Sequence, residues 1–111
     1  MTDFYHSKRW EAIRRAILRR DGYMSQISKR FGKRIPASVV HHIFPRESFP
    51  EYQWSDWNLI TITNEEHNRL HDRMTGALTE EGIELLKRTA RRKGMNEREL
   101  LDRISGQAGS L

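Results

Sequence analysis

The sequence predicts an α+β fold in which two short strands and a helix gather a histidine-rich centre, flanked by one helix before it and others after it. Three observations carry this expectation. His41, His42, His67 and His71, four of the five histidines, fall within one short stretch of chain. Two β-branched runs, at 37–43 and 59–63, sit on either side of a proline-bracketed loop. Apolar residues recur at helical spacing on both sides of that region. The 111 residues amount to one domain, and the absence of cysteine excludes a disulfide framework, a Cys-ligated zinc, an iron–sulfur cluster and thiol catalysis.

Ser7 is placed to cap a helix over 8–20, where Trp10, Ile13 and Ile17 form the apolar stripe. Arg14, Arg15, Arg19 and Arg20 lie mostly off that stripe, and Asp21-Gly22 ends the helix. A short helical turn within 23–31 closes at Gly32. Pro36 precedes the first strand, 37–43, and Pro45 and Pro50 bracket a polar and aromatic loop anchored by Trp54 and Trp57. After the second strand, 59–63, Thr63 and Glu66 form a capping box, each satisfying an otherwise orphaned N–H. The helix they open is expected to reach Thr75 and stop at Gly76. Another helix starts at Thr79 and runs to Lys93, with Ile83, Leu86 and Ala90 as its stripe and Gly94 past its end. Asn96 and Glu99 form a second capping box, for a helix to Ile104. The whole reads as a single domain, 1–111: a basic helical lead-in 1–36, a core 37–76, C-terminal helices 77–105 and a frayed tail 106–111.

Charge is distributed unevenly. The chain carries +5 overall, but residues 1–40 carry +7 and residues 41–76, which hold the histidine group, carry −3. A basic flank beside a histidine centre suits a polyanion held next to a chemical site; solvated helix faces are the plainer reading of each basic run. No apolar run approaches the length of a membrane span. The N-terminus lacks the apolar segment of a signal peptide, so the expected location is cytoplasmic.

His67 and His71, four apart on the expected helix, would present their imidazoles on one face. Neighbours in a regular strand point to opposite faces, so His41 and His42 share a site only where the strand twists or ends, and Phe44-Pro45 supplies such an end. Together the pattern gathers His41, His67 and His71 for a metal and leaves His42 free to act on a water.

This ordered set resembles the HNH nuclease motif and its ββα-metal fold. The residues carrying the resemblance are His41 and His42, Asn58, and His67 with His71. The lead-in from Phe4 to Tyr23 is similar to that of phage-encoded HNH endonucleases, so the likeness spans roughly 4–75. The resemblance implies a metal-dependent endonuclease that cleaves double-stranded DNA to leave 5′-phosphate and 3′-hydroxyl ends. It also implies a phage or prophage setting with packaging proteins as possible partners. His42 is the expected general base, since a neutral imidazole near pH 7 accepts a proton from water. His41, His67 and His71 are expected to hold one divalent ion, Zn, Ni, Mn, Co or Mg, with imidazole favouring the first four. By resemblance Asn58 orients the loop of the base. Arg46 is either a phosphate contact or a solvated loop arginine. Arg14, Arg15, Arg19 and Arg20 are the candidate nucleic-acid contacts.

Many of the phage proteins it resembles carry two Cys-x-x-Cys pairs around a structural zinc. The matching positions here are Ser25, Ser28, Thr63 and Glu66, so no structural zinc is expected. Packing by Trp10, Ile13, Ile17, Tyr23, Phe31 and the tryptophans is expected in its place. Two competing readings are a non-catalytic DNA-binding or packaging-accessory module on the same fold, and an RNA-cleaving toxin.

Overall fold

The computed structural model describes residues 3–109, with side chains through Ser105. A 3-10 turn, Phe4–His6, leads into α1, Lys8–Arg20. The Ser7 hydroxyl caps α1 by accepting from the Trp10 N–H at 3.1 Å. Gly22 and Tyr23 both take positive φ and turn the chain sharply towards α2, Gln26–Arg30. The strands are β1, Val39–His42, and β2, Leu59–Ile62, shorter than expected by up to two residues at an end. They pair antiparallel, with Val39 opposite Ile62 and His42 opposite Leu59.

Alternation along the ribbon puts a different core on each face. Leu59 and Val40 meet Trp10, Ile17 and Ile13 of α1, together with Phe4 and Trp54. Ile62, Val39 and Ile60 join Ile43, Phe44, Phe49, Leu70, Leu86 and Ala90 on the other side. Tyr23 and Phe31, expected in the core, are 49% and 74% exposed. Tyr23 sits in the positive-φ turn and Phe31 ends α2, so neither side chain reaches the interior. Phe44 and Phe49, from the loop between the strands, are fully buried in that interior.

The helix after β2 departs most from expectation. α3 spans Asn64–Leu70 and stops there; His71 is already extended, at φ −127° and ψ 140°, and bridges Leu78. The cause lies downstream. The Thr79 N–H and hydroxyl donate to the carbonyls of Leu70 and Arg69, at 2.9 and 2.6 Å, satisfying groups that would otherwise continue the helix. Asp72 Oδ1 accepts from the N–H groups of Met74 and Thr75 and shapes the intervening turn, which Gly76 completes at φ 75°. α4, Glu80–Lys93, starts on the same Thr79 and ends at left-handed Gly94. Its buried stripe includes Leu85, Leu86, Thr89 and Ala90, with Ile83 only half-buried. α5, Glu97–Gly109, continues beyond the expected end at Ile104, and the last two residues of the expected frayed tail lie outside the described residues.

The four positions matched to the zinc cysteines form a hydrogen-bonded clasp. Glu66 Oε1 accepts from the Ser25 hydroxyl at 2.6 Å and the Thr63 N–H at 2.7 Å, and Oε2 accepts from the Ser28 hydroxyl at 2.7 Å. Ser25 and Thr63 also cap α2 and α3, so one buried carboxylate joins two helix starts.

Candidate active site

β1 ends at His42, and the strand end brings both of its histidines to one cleft of about 290 Å³. His67 comes to that cleft from the last turn of α3, and His71 from the extended segment beyond it, not from a shared helix face. The convergence survives because Leu70 and Thr79 hold the chain where it leaves α3. One ligand nitrogen from each of His41, His67 and His71 lies within 4.8 Å of the other two.

These three imidazoles suit a cation. His41 is 1% exposed, yet its Nε2 has no hydrogen-bond partner among the described residues. A buried orphaned nitrogen is costly unless something coordinates it. Burial, and then the neighbouring His71, His67 and His42, hold its pKa well below the usual histidine value. Burial followed by His71 lowers that of His67. Both therefore present neutral lone pairs near pH 7. His71 Nδ1 lies 3.2 Å from the Gly76 carbonyl, to which it donates in the tautomer that leaves Nε2 free as a ligand.

His42 is outside this trio. Its Nε2 lies 3.0 Å from the Gln53 carbonyl, which only accepts, so that nitrogen carries the proton and Nδ1 holds the basic lone pair. Trp10 stacks on the ring at 5.1 Å between centroids, with Phe4 at 5.7 Å. Burial is the main cause that lowers its pKa; the Arg46 charge adds to this, while the Gln53 bond and Glu47 oppose it.

Asn58 is fully buried and ties the intervening loop at both ends. Its Oδ1 accepts from the Phe44 N–H at 2.7 Å, and its Nδ2 donates to the carbonyls of Phe44 and Tyr52 at 3.1 and 3.2 Å. Tyr52 immediately precedes Gln53, whose carbonyl holds His42. Arg46 lines the cleft with its guanidinium 3.7 Å over the Phe4 ring.

No protein-family profile matches the chain, and no curated protein does. Among solved structures, the HNH endonuclease of the deep-sea thermophilic bacteriophage GVE2, determined with manganese ion, is similar at 35% identity and a TM-score of 0.58. The match covers 60% of this chain and 72% of that one. The chain belongs to the HNH endonuclease family. It is thus a nuclease, with the α+β architecture of two antiparallel strands and flanking helices.

In this HNH endonuclease the four basic residues proposed from α1 divide into two pairs. Arg14 donates to the Ser38 carbonyl at 2.8 Å. Arg20 is engaged by Asp21 and by the carbonyls of Asp56 and Leu59. Arg15 and Arg19 are exposed. Residue-type reasoning missed Gln53 and Gly76, because both act through backbone carbonyls, which have no sequence signature. It also missed Tyr5, whose exposed ring lines the cleft; its place beside Phe4 in an aromatic lead-in was the available signal.

Proposed function

We propose that this chain is a metal-dependent DNA endonuclease, with residues 37–76 as the core of a single nuclease domain and a phage or prophage setting like that of its structural neighbour. One observation carries the reading. A buried histidine with an orphaned nitrogen, His41, meets His67 and His71 within 4.8 Å, beside a separately held, low-pKa His42.

His41, His67 and His71 hold one divalent ion, for which manganese in the neighbour is a precedent. When bound, that ion supplies Lewis-acid stabilisation of the phosphate and of the departing 3′ oxygen. His42 Nδ1 takes the proton as a water oxygen attacks phosphorus, while Gln53 keeps the ring in the required tautomer. The phosphorus–O3′ bond breaks, and the 3′ oxygen takes up a proton from solvent, leaving a 5′-phosphate and a 3′-hydroxyl. Asn58 is a positioning residue: by fixing Phe44 and Tyr52 it holds the loop that carries the Gln53 carbonyl. Arg46 contacts the phosphate from the cleft wall. Arg15 and Arg19 contact flanking DNA phosphates; Arg14 and Arg20 serve the fold.

The test is nicking of supercoiled plasmid with manganese, with EDTA, and with EDTA followed by excess manganese. Cleavage that is lost and then restored supports the reading. Cleavage unaffected by the chelator, or a wild-type chain inert with manganese, magnesium, zinc, nickel and cobalt, overturns it.

A further inference from the structure

A second, larger groove, of about 810 Å³, lies between α2, the C-terminal half of α4 and the strand ends, and shares no lining residue with the histidine cleft. Its floor is apolar, with Ile27, Leu85 and the Trp57 ring, over which the Lys93 ammonium lies 4.7 Å from the ring centre. Arg30, Arg88, Arg92 and Lys93 surround that floor, and none of them forms a salt bridge among the described residues. Asp21 is the acidic residue among those lining it, and it is held by the Arg20 side chain at 2.8 Å and the Thr61 N–H at 3.0 Å.

Basic residues in a helix's last turn compensate its C-terminus, and Arg30, Arg92 and Lys93 occupy such turns of α2 and α4. That effect accounts for each helix end separately. It does not account for cations from both ends meeting over one apolar floor. The crowding is unfavourable in the free protein: burial and then Arg30 lower the pKa of Arg88, and Arg92 and Arg91 add to this against Glu84. A polyanion bound there would relieve it.

We propose that this groove binds single-stranded nucleic acid, with phosphates on Arg30, Arg88, Arg92 and Lys93 and base faces against the apolar floor. The identity of the polyanion rests on the nuclease reading; the geometry is independent of it. A duplex keeps its bases stacked inside and offers the floor nothing. A single strand exposes base faces, which bury well on apolar and aromatic side chains. Arginine predominates on the walls, and its planar guanidinium pairs with phosphate in a bidentate manner and stacks on bases.

The probe is a fluorescent oligothymidine of about 15 nucleotides, within the site sizes of single-strand-binding domains. Anisotropy is measured on His42→Ala protein, so that the strand is bound and not cut. Arg30→Glu/Arg88→Glu should weaken binding at least about tenfold and flatten the log–log salt slope by about 0.7 for each phosphate no longer neutralised. Arg92→Glu/Lys93→Glu, on the exposed end of α4, should do the same with an unchanged circular dichroism spectrum, and decides the matter if the first pair fails to fold. Unchanged affinity in a folded variant overturns the proposal. So does an equal loss for a duplex of the same length. Displacement of the oligonucleotide by poly-L-glutamate at equal charge overturns it in favour of an acidic protein partner. The nuclease reading fails on a different readout, plasmid cleavage by the unmutated chain, so the two failures are distinguishable.

Discussion

Glu66→Ala should be among the most destabilising single changes in this protein that spares both hydrophobic cores. Glu66 is 5% exposed, and its carboxylate accepts three hydrogen bonds, from Ser25, Ser28 and Thr63, at 2.6 to 2.7 Å. Hydrogen bonds to a charged group contribute roughly 1.5–3 kcal/mol each. The freed hydroxyls recover part of this by turning to other acceptors, so about 3–5 kcal/mol is expected in total. Typical domains have about 5–15 kcal/mol of stability, so the loss is a large fraction. With a urea slope near 1.5 kcal/mol per M, the unfolding midpoint falls by roughly 2–3 M. Glu66→Gln keeps the shape and loses the charge, and should cost about 1–2 kcal/mol.

The effect is also pH-dependent. Burial pushes the Glu66 carboxyl upward, but the hydrogen bonds from Ser25, Thr63 and Ser28 outweigh it, so the folded pKa lies below the ordinary value. A depressed carboxylate pKa stabilises the fold above the unfolded pKa of about 4.3, and that contribution disappears as pH falls through the folded pKa. Urea titrations followed by circular dichroism at several pH values measure both features. A cost for Glu66→Ala under about 1 kcal/mol at pH 7 would refute the clasp. So would a cost that stays constant as the solution is acidified past the carboxyl's titration.

His42→Ala should abolish cleavage while leaving metal and DNA binding near wild type; a variant that still cuts at a comparable rate removes His42 as the base. Wild-type cleavage should rise with pH through a midpoint below 6.5, because the neutral imidazole is the active form and burial lowers its pKa. Arg46→Gln should move that midpoint upward, since Arg46 adds to the lowering, and a downward move would contradict the electrostatics. His67→Ala and His71→Ala should each weaken metal binding more than about tenfold. Metal analysis should find one ion per chain, with helical circular dichroism retained after EDTA; two ions or a collapsed spectrum would count against this. Gly82→Ala should lower the melting temperature despite alanine's better helix propensity. Its Cβ would lie 2.5 Å from the Leu70 carbonyl oxygen and 2.9 Å from Leu78 Cδ2, so a stabilised variant would be the contrary result.

The helix caps and glycine stops were legible in the residues themselves. Ser7 starts α1, Thr63 starts α3, Thr79 starts α4 and Gly94 follows its end, because a cap needs only a side chain and a backbone N–H a few residues away. The histidine trio and the separate His42 were likewise visible as residue types in order. Their convergence was a matter of tertiary structure. α3 ends at Leu70 because Thr79, on the far side of the following turn, caps its carbonyls, and periodicity carries no trace of that. The basic nitrogen of His42 is set by the Gln53 carbonyl, and the ligand nitrogen of His71 by that of Gly76. Every residue carries a carbonyl oxygen, so no residue type announces these two. Phe44 and Phe49 became core while Tyr23 and Phe31 stayed outside, because burial follows from which faces the turns bring together rather than from aromatic character. Sequence encodes the chemistry each side chain can perform. The packing of distant backbone segments decides which nitrogen is free to perform it.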